Sequence, residues 1–553
     1  MAAPARIRPG DAALIPTLPP ARAALRRELA EALAKAGVSG VLLALSFPRY
    51  GHPILAWVAL APVIVSLFEI HHSERPFRRA RAFMLGFVAG LGYFGGTVYW
   101  TGTVVTQFGG LPAAAGVVVA AVLVAYLSLF PALFTLALGW LGAQYGRRAI
   151  LLAPAVWVTT ELGRTYFWSG FPWLLLGYSQ TTVLPFAQCA SVVGVFGMSA
   201  LVALVSTALA YVVVSRSRGS VITLGVTAAV LVGVTTWGSR RLEDNLLVGQ
   251  GRQVRVALIQ GNIPQDQKWD DRQADNIRNT YLSMTREAAA KGAQLVIWPE
   301  SSTPFPFLDD RAGGERIRAL VRETGVELLL GSDQVDHQTK AYYNAAFLVR
   351  KDGAVAGVYQ KMHLVPFGEF VPLQQMLFFV GPLVERTGSF SAGQDTVMLP
   401  TSQGPISTAI CYEIVFPRLV GESVRRGSQL LTTITNDAWY GYSSAPYQHF
   451  LQASMRAIEQ GRYLARAANT GISGFVDPYG RVLQQSAIFE RSILVGDVRL
   501  LEGRTIYGRI GDLFAYICAA LTVVALVFAP RRGLGAVLGM SKGAGGIRGS
   551  RFR

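Results

Sequence analysis

The sequence predicts a multi-span α-helical membrane bundle joined to one α/β layered domain, and three observations predict it. Apolar residues make up 51% of the 553 and charged ones only 15%, with mean hydropathy +0.35, too apolar for an ordinary water-soluble protein. Eight apolar segments approach the roughly 20 residues a helix needs to cross hydrocarbon. A polar stretch, Arg240 to Gly511, is set between them and alternates β-rich runs with helical patterns.

The apolar segments are Leu25–Phe47, Ile54–Phe68, Phe83–Val105, Leu111–Leu141, Ile150–Leu162, Leu184–Val214, Val221–Trp237 and, after the polar stretch, Leu513–Ala529. The second and fifth are short and could be tilted, re-entrant or differently bounded, which leaves about six or eight spans before the polar stretch as alternatives to seven. Loop charges favour seven. Arg22, Arg26 and Arg27, then Arg75, Arg78, Arg79 and Arg81, then Arg147 and Arg148, then Arg216 and Arg218 make alternate loops basic, as cytoplasmic loops are. The intervening loops carry Arg49, no cation around Gln107–Gly110, and Arg164. After an odd number of spans the polar domain shares the cation-poor, extracytoplasmic side.

The organisation expected is therefore a disordered cytoplasmic N-terminus over 1–24, a bundle of about seven helices over 25–239, an extracytoplasmic domain over 240–511, a last transmembrane helix over 512–530 and a basic cytoplasmic tail over 531–553. The net charge of +17 falls in termini and short loops, because 240–511 holds roughly equal numbers of acidic and basic residues. That distribution fits topology and excludes a nucleic-acid partner.

Within the domain, the runs Val254–Gln260, Leu295–Trp298, Glu327–Leu330, Ala345–Val349, Ile406–Ile410, Leu430–Thr435 and Gly474–Val476 read as strands, and Asp271–Lys291 and Glu315–Glu323 as helices. Continuous apolar runs such as LVIW and STAI indicate strands covered on both faces. Just past two of these runs stand Glu300, in LVIWPES, and Cys411, in ISTAICYEIVFP; between them lies Lys361, in YQKMHLVPFGEF. Strand ends in α/β folds are where sites gather. Cys189 and Cys518 fall in apolar segments, so Cys411 has no disulfide partner in its own domain. A lone thiol there is either a buried small hydrophobe or a nucleophile.

The succession WPES, YQKMHLVPFGEFVP, AICYE, TNDAWYG and ARAANTGISGFVDPYG resembles the carbon–nitrogen hydrolase (nitrilase) superfamily. With this domain placed before a last membrane helix, and GFPWLLLGYSQ in an earlier loop, the chain resembles the apolipoprotein N-acyltransferase family in particular. The resemblance implies a nitrilase-like αββα sandwich in a bacterial inner (cytoplasmic) membrane protein, with its catalytic domain on the periplasmic side and a monomeric state. It implies transfer of an acyl chain from a phospholipid, phosphatidylethanolamine by analogy, to the α-amino group of a diacylglyceryl-modified N-terminal cysteine of an apolipoprotein.

The chemistry of each residue fits that reading. A thiol of ordinary pKa about 8.5 is mostly protonated at neutral pH, so Cys411 needs a base, and Glu300 can take its proton and return it to the leaving alcohol. An apolar setting from Trp298, Pro299 and Phe305 suits such a base. Lys361 and the Tyr412 backbone amide can stabilise an oxyanion. By resemblance Glu369 supports the lysine and the base, and Tyr412, Glu413 and Asn436 build the site; packing and a local ion pair are the alternative for Tyr412 and Glu413. Trp439, in TNDAWYG, lines the pocket mouth or simply sits at the membrane interface. LQQMLFFVGPLV, Leu373 to Val384 with Phe378 and Phe379, is too apolar for a loop in water and reads as a membrane-facing lid or a buried insertion. Phe171, Trp173 and Trp298 complete the expected lipid contacts. The six histidines show no HExxH grouping and no P-loop or GxGxxG opens a helix, so no cofactor or metal is expected. A membrane-anchored amidase or nitrilase that passes its thioester to water, and a non-catalytic binding module on the same frame, are the competing readings.

Overall fold

The computed structural model describes residues 20–73, 79–107, 112–366, 368–370 and 390–528. The expected cytoplasmic tail, the Leu373–Val384 lid with Phe378 and Phe379, and most of the N-terminal stretch lie outside the described residues. The helical part runs α1 (Pro20–Ala44), α2 (Ala61–Ser73), α3 (Arg79–Thr97), α4 (Trp100–Gln107), α5 (Ala113–Tyr145), α6 (Ala153–Tyr166), α7 (Ala190–Ser215) and α8 (Arg218–Asp244). Helix α1 begins inside the stretch expected to be disordered, with Pro20 at its first position, where a missing N–H costs nothing. Helix α8 continues beyond the expected end at Trp237 and stops at Asn245, which adopts the left-handed conformation.

Among the described residues, three helical stretches, Ala113–Tyr166, Ala190–Ser215 and Arg218–Asp244, are long and apolar enough to cross a membrane. The bent pair Arg79–Thr97 and Trp100–Gln107, at 53°, makes a fourth if taken as one span. Pro53–Glu69 and Leu513–Val527 are shorter apolar helices, matching the second expected segment and the last. Packing between α3 and α5 depends on small residues: a Cβ on Gly86 would stand 2.1 Å from Pro131 O, and one on Gly90 2.7 Å from Ser128 Cα. Such small-residue contacts let helix backbones approach where apolar burial alone gives no preference.

The polar stretch folds as β1 (Arg252–Gln260), α9 (Ala274–Ala290), β2 (Leu295–Ile297), α10 (Arg311–Thr324), β3 (Glu327–Asp336), β4 (Ala341–Val349), β5 (Val355–Gln360), β6 (Leu399–Thr401), β7 (Gly404–Ile410), α11 (Pro417–Arg425), β8 (Leu430–Thr435), α12 (Ala445–Gln460), β9 (Leu464–Ala468), β10 (Gly474–Val476), β11 (Val482–Gln485) and β12 (Ser492–Leu500), before the apolar helix α13 (Leu513–Val527). Two six-stranded mixed sheets result, in the orders β12-β1-β2-β3-β4-β5 and β11-β10-β9-β8-β7-β6. In each the three central strands are parallel and the flanking ones antiparallel.

The layers follow from strand alternation. Val256, Leu258, Leu295, Ile297 and Leu329 of one sheet pack on Ile406, Ile410, Leu430, Ile434 and Phe475 of the other. The opposite face of the first sheet, with Ala257, Ile259, Val296 and Leu328, is covered by Ile277 and Tyr281 of α9 and Ile317 and Leu320 of α10. The outer face of the second sheet is covered by α11 and α12, whose apolar residues are continuous with the core of the helical bundle. Helix α12 is buried along its whole length, so this αββα sandwich is packed onto the bundle through one of its own helix layers.

Candidate active site

Four strand ends deliver the site. Glu300 follows β2, Cys411 follows β7 and Asn436 follows β8, while Lys361 follows β5. Lys361 is 1% exposed; its Nζ donates to Glu369 Oε1 at 2.8 Å and to Glu300 Oε1 at 3.4 Å. Asn344, on β4, bridges the same carboxylates, donating to Glu300 Oε1 at 2.7 Å and Glu369 Oε1 at 3.2 Å. The other Glu300 oxygen accepts the Asn436 backbone N–H at 2.9 Å. Glu369 Oε2 accepts the Val365 N–H at 2.8 Å, closing a short loop around the lysine.

Cys411 is buried, with φ +54°, a left-handed conformation that a non-glycine residue holds only when its surroundings fix it. Burial and then the Glu300 carboxylate push its thiol above the ordinary range, and Lys361 opposes them. That direction favours the protonated thiol, which would need a base to act as a nucleophile. Burial pulls the Lys361 ammonium down, but Glu369 and then Glu300 outweigh it and hold the group above the ordinary lysine range. The two carboxylates thus favour the charged ammonium.

Glu413 ties the two halves together. Its Oε1 accepts Tyr359 OH at 2.9 Å and the N–H groups of Met362 at 2.7 Å and His363 at 3.0 Å, and its Oε2 accepts the Ile410 N–H at 2.7 Å. Burial pushes its carboxyl up to about 7. Hydrogen-bond donors surround it in place of the local ion pair that was the alternative, and it joins the segment after Lys361 to the one before Cys411. Asn436 donates from Nδ2 to Gln265 Oε1 at 2.7 Å and accepts from Asn469 Nδ2 at 3.0 Å.

Tyr412, just after the thiol, faces the helical bundle. Its ring lies parallel to that of Trp173, centroids 6.3 Å apart at 18°, and 6.1 Å from that of Phe171. Trp173 is fully buried, donates from Nε1 to Gln448 Oε1 at 2.8 Å, and contacts Trp100 and His449 at 5.3 and 5.5 Å between ring centroids. The 171–176 loop is held from α6: Arg164 donates to the carbonyls of Phe171, Trp173 and Leu174, and Glu161 Oε1 accepts the Leu176 N–H.

The structure thus brings Glu300, Lys361, Cys411, Glu369, Glu413 and Asn436 together, with Tyr412, Phe171 and Trp173 beside them. Trp439 is half-buried in the turn after β8. Trp298 is not brought there: alternation on β2 sends it with Val296 to the helix-covered face, where Nε1 donates to Thr285 Oγ1 and the ring packs on Tyr281. The Glu300 carboxylate is held by polar groups, the Asn344 amide, the Lys361 ammonium and the Asn436 backbone N–H, and Trp298 takes no part in its surroundings. Sequence reasoning missed Asn344, Lys268 and His449. Lys268 is buried and donates to the Glu300 carbonyl at 3.1 Å; burial pulls its ammonium down to about 8 against the pull of Glu300, Asp333 and Cys411. Asp333, whose carboxylate accepts the Tyr342 hydroxyl, is pushed up to about 6 by burial. Among the described residues no group of three or more His, Cys, Asp and Glu side chains is placed to hold a metal ion.

Residues 39–208 match the family model for the apolipoprotein N-acyltransferase N-terminal domain, and residues 255–506 match that for carbon–nitrogen hydrolase. The chain is 40% identical over 503 residues to the apolipoprotein N-acyltransferase of Geobacter metallireducens, across 90% of this chain and 94% of that one. It is 37% identical over 512 residues to the protein of that name from Methylococcus capsulatus, across 91% and 97%. Among solved structures it is similar to a Saccharomyces cerevisiae member of the nitrilase superfamily, at 18% identity and TM-score 0.37 over 46% of this chain and 92% of that one. A Nesterenkonia amidase gives 23% identity and TM-score 0.37 over 46% and 94%.

Proposed function

The chain belongs to the apolipoprotein N-acyltransferase family, enzymes that N-acylate lipoproteins, and from that membership we propose that the acyl group travels through a thioester on Cys411. Glu300 takes the thiol proton as Sγ attacks the ester carbonyl of a phospholipid. The S–C bond forms, and the oxyanion is met by the Lys361 ammonium and the Tyr412 N–H. On collapse the C–O bond breaks and the proton passes from Glu300 to the departing lysophospholipid oxygen. The α-amine of the diacylglyceryl-cysteine then attacks the thioester; the N–C bond forms, the S–C bond breaks, and the amine proton returns to sulfur through Glu300.

The observation that carries this reading is the buried Lys361 ammonium set between Glu300 and Glu369, beside a Cys411 thiol that burial keeps protonated. A cation with two anionic neighbours remains charged as an oxyanion develops, and Glu300 is the carboxylate that also acts on the thiol. The donor is phosphatidylethanolamine and the enzyme a monomer of the bacterial inner membrane, its sandwich on the periplasmic side; the alternation of basic and cation-poor loops supports that side.

The test is direct. Purified protein incubated with acyl-labelled phosphatidylethanolamine should gain a hydroxylamine-sensitive label that Cys411→Ala lacks and that a diacylglyceryl peptide discharges as an amide. Label that survives Cys411→Ala, or discharges only to water in the presence of peptide, would overturn the reading.

A further inference from the structure

Behind the proposed nucleophile lies a buried charged network that the reaction described above does not use. Asp437, His449 and Arg466 have no exposed side-chain surface. Arg466 Nη2 donates to Asp437 Oδ2 at 2.8 Å and lies 3.1 Å from His449 Nδ1. Asp437 Oδ1 accepts the Thr435 hydroxyl at 3.0 Å and stands 3.0 Å from His449 Nδ1. Arg466 is itself anchored, its Nε donating to Ile472 O at 3.1 Å. The imidazole is packed against the rings of Trp173 and Tyr440.

Its remaining nitrogen, Nε2, lies 3.2 Å from the Cys411 carbonyl oxygen. A carbonyl can only accept, so this contact is a hydrogen bond when Nε2 carries the proton, as it does in the imidazolium and in the neutral tautomer whose bare Nδ1 accepts from Arg466. That carbonyl belongs to the peptide between Cys411 and Tyr412, which is planar, so its C=O and the Tyr412 N–H point in opposite directions along one rigid unit. Holding the oxygen from behind therefore sets where the N–H points in front. It also opposes relaxation of Cys411 from its left-handed conformation, which would swing the thiol away.

We propose that His449, oriented by Asp437 and Arg466, is a positioning residue for acyl transfer: its Nε2–H pins the Cys411 carbonyl and so aims both the thiol and the Tyr412 N–H at the reacting carbonyl. This rests on Cys411 being the nucleophile. His449 touches neither substrate nor sulfur in this role, and it differs from a mere core histidine in that only the nitrogen facing Cys411 matters for rate.

Two near-isosteric variants separate those cases. The amide of Gln extends as far as Nε2, whereas that of Asn ends near the Nδ1 position and can serve Asp437 but not Cys411. Full-length variants in detergent–phospholipid micelles are compared by single-turnover thioester formation from labelled phosphatidylethanolamine, with donor KM and thermal midpoint measured alongside. His449→Gln should acylate within about threefold of wild type, and His449→Asn roughly 100-fold more slowly at unchanged KM, the scale of losing one aimed oxyanion donor. Equal rates for the two, or a faster Asn variant, overturn the positioning role. The Gln variant decides even if the Asn variant does not fold, because a folded Gln variant slowed by more than about tenfold also overturns it. Absence of any thioester on the wild-type enzyme instead removes the nucleophile assignment, and the positioning role with it.

Discussion

Glu369, and not Glu300, is the nearer partner of Lys361: the ammonium lies 2.8 Å from Glu369 Oε1 and 3.4 Å from Glu300 Oε1. With the lysine leaning on Glu369, Glu300 is freer for the proton-accepting role proposed for it. Glu369→Gln should let the ammonium close on Glu300 and slow thioester formation roughly 100-fold, the lower end of what a positioned base contributes, in a protein that still folds. Lys361→Ala leaves two buried carboxylates facing each other and should cost about 3–5 kcal/mol of stability. Single-turnover acylation and thermal melting read the two effects. A Glu369→Gln enzyme that acylates at the wild-type rate would show that the asymmetry has no function.

Lys268 gives a pH prediction with a definite sign. Its folded value of about 8 lies below the ordinary lysine value of about 10.4, so between the two the unfolded chain binds more protons and stability rises with pH. The gain is complete above the unfolded value and lost as pH falls through about 8, with a total of roughly 3 kcal/mol. Lys268→Met should flatten that rise. Unfolding midpoints of wild type and variant between about pH 7 and 10.5 provide the check, and parallel curves would sink the assignment.

The pattern of success along the chain has physical reasons. Runs rich in branched apolar residues, such as LVI of β2 and LLTTIT of β8, announced strands, and the motif residues at their ends were found where expected. Strand β9, LARAA, carries weak β formers and a buried Arg466, so it gave no strand signal; its existence depends on pairing with β8 and on the Asp437 partner of its arginine. Trp298 could have been placed correctly, because period-two alternation puts it opposite Leu295 and Ile297. Asn344 also left a trace, a polar residue inside the apolar run of β4, where a buried amide implies partners. His449 and Lys268 left none, since their roles come from contacts far away in sequence.

Arg164, at the end of α6, has a buried guanidinium spent on the carbonyls of Phe171 at 3.0 Å, Trp173 at 2.7 Å and Leu174 at 3.4 Å. A planar fork can serve several carbonyls at once; a lysine ammonium reaches fewer of them. Arg164→Lys should therefore loosen the loop that sets Trp173 against Tyr412, and Arg164→Met should destabilise the protein by about 3 kcal/mol by leaving buried carbonyls without donors. Faster amide exchange across 167–176, accompanied by slower acyl transfer, is the expected result. Unchanged exchange in a folded Arg164→Lys variant would mean the loop is held by its aromatic packing alone.

Gly331, in the middle of β3, decides how closely Glu300, the proposed base, can approach its sheet. A Cβ there would stand 2.6 Å from Pro299 O, 2.7 Å from Glu300 Cα and 2.8 Å from Ser301 N. All three are main-chain atoms, so no side-chain end can swing aside. The Gly331 carbonyl meanwhile accepts the Ser302 N–H at 2.7 Å and hydroxyl at 2.8 Å, clamping the Glu300 turn against the strand from the other direction. Gly331→Ala must push the turn outward against that clamp and carry the carboxylate away from the Asn436 N–H and the Asn344 amide. Overpacking of this kind costs about 1–3 kcal/mol, so the variant should still fold, while a displacement near 1 Å at a reacting group slows chemistry by roughly 100-fold. Thioester formation should fall by that factor with donor KM little changed. A folded Gly331→Ala enzyme that acylates within about threefold of wild type would show that Glu300 tolerates the shift, and that its main-chain position is not what limits proton transfer from Cys411.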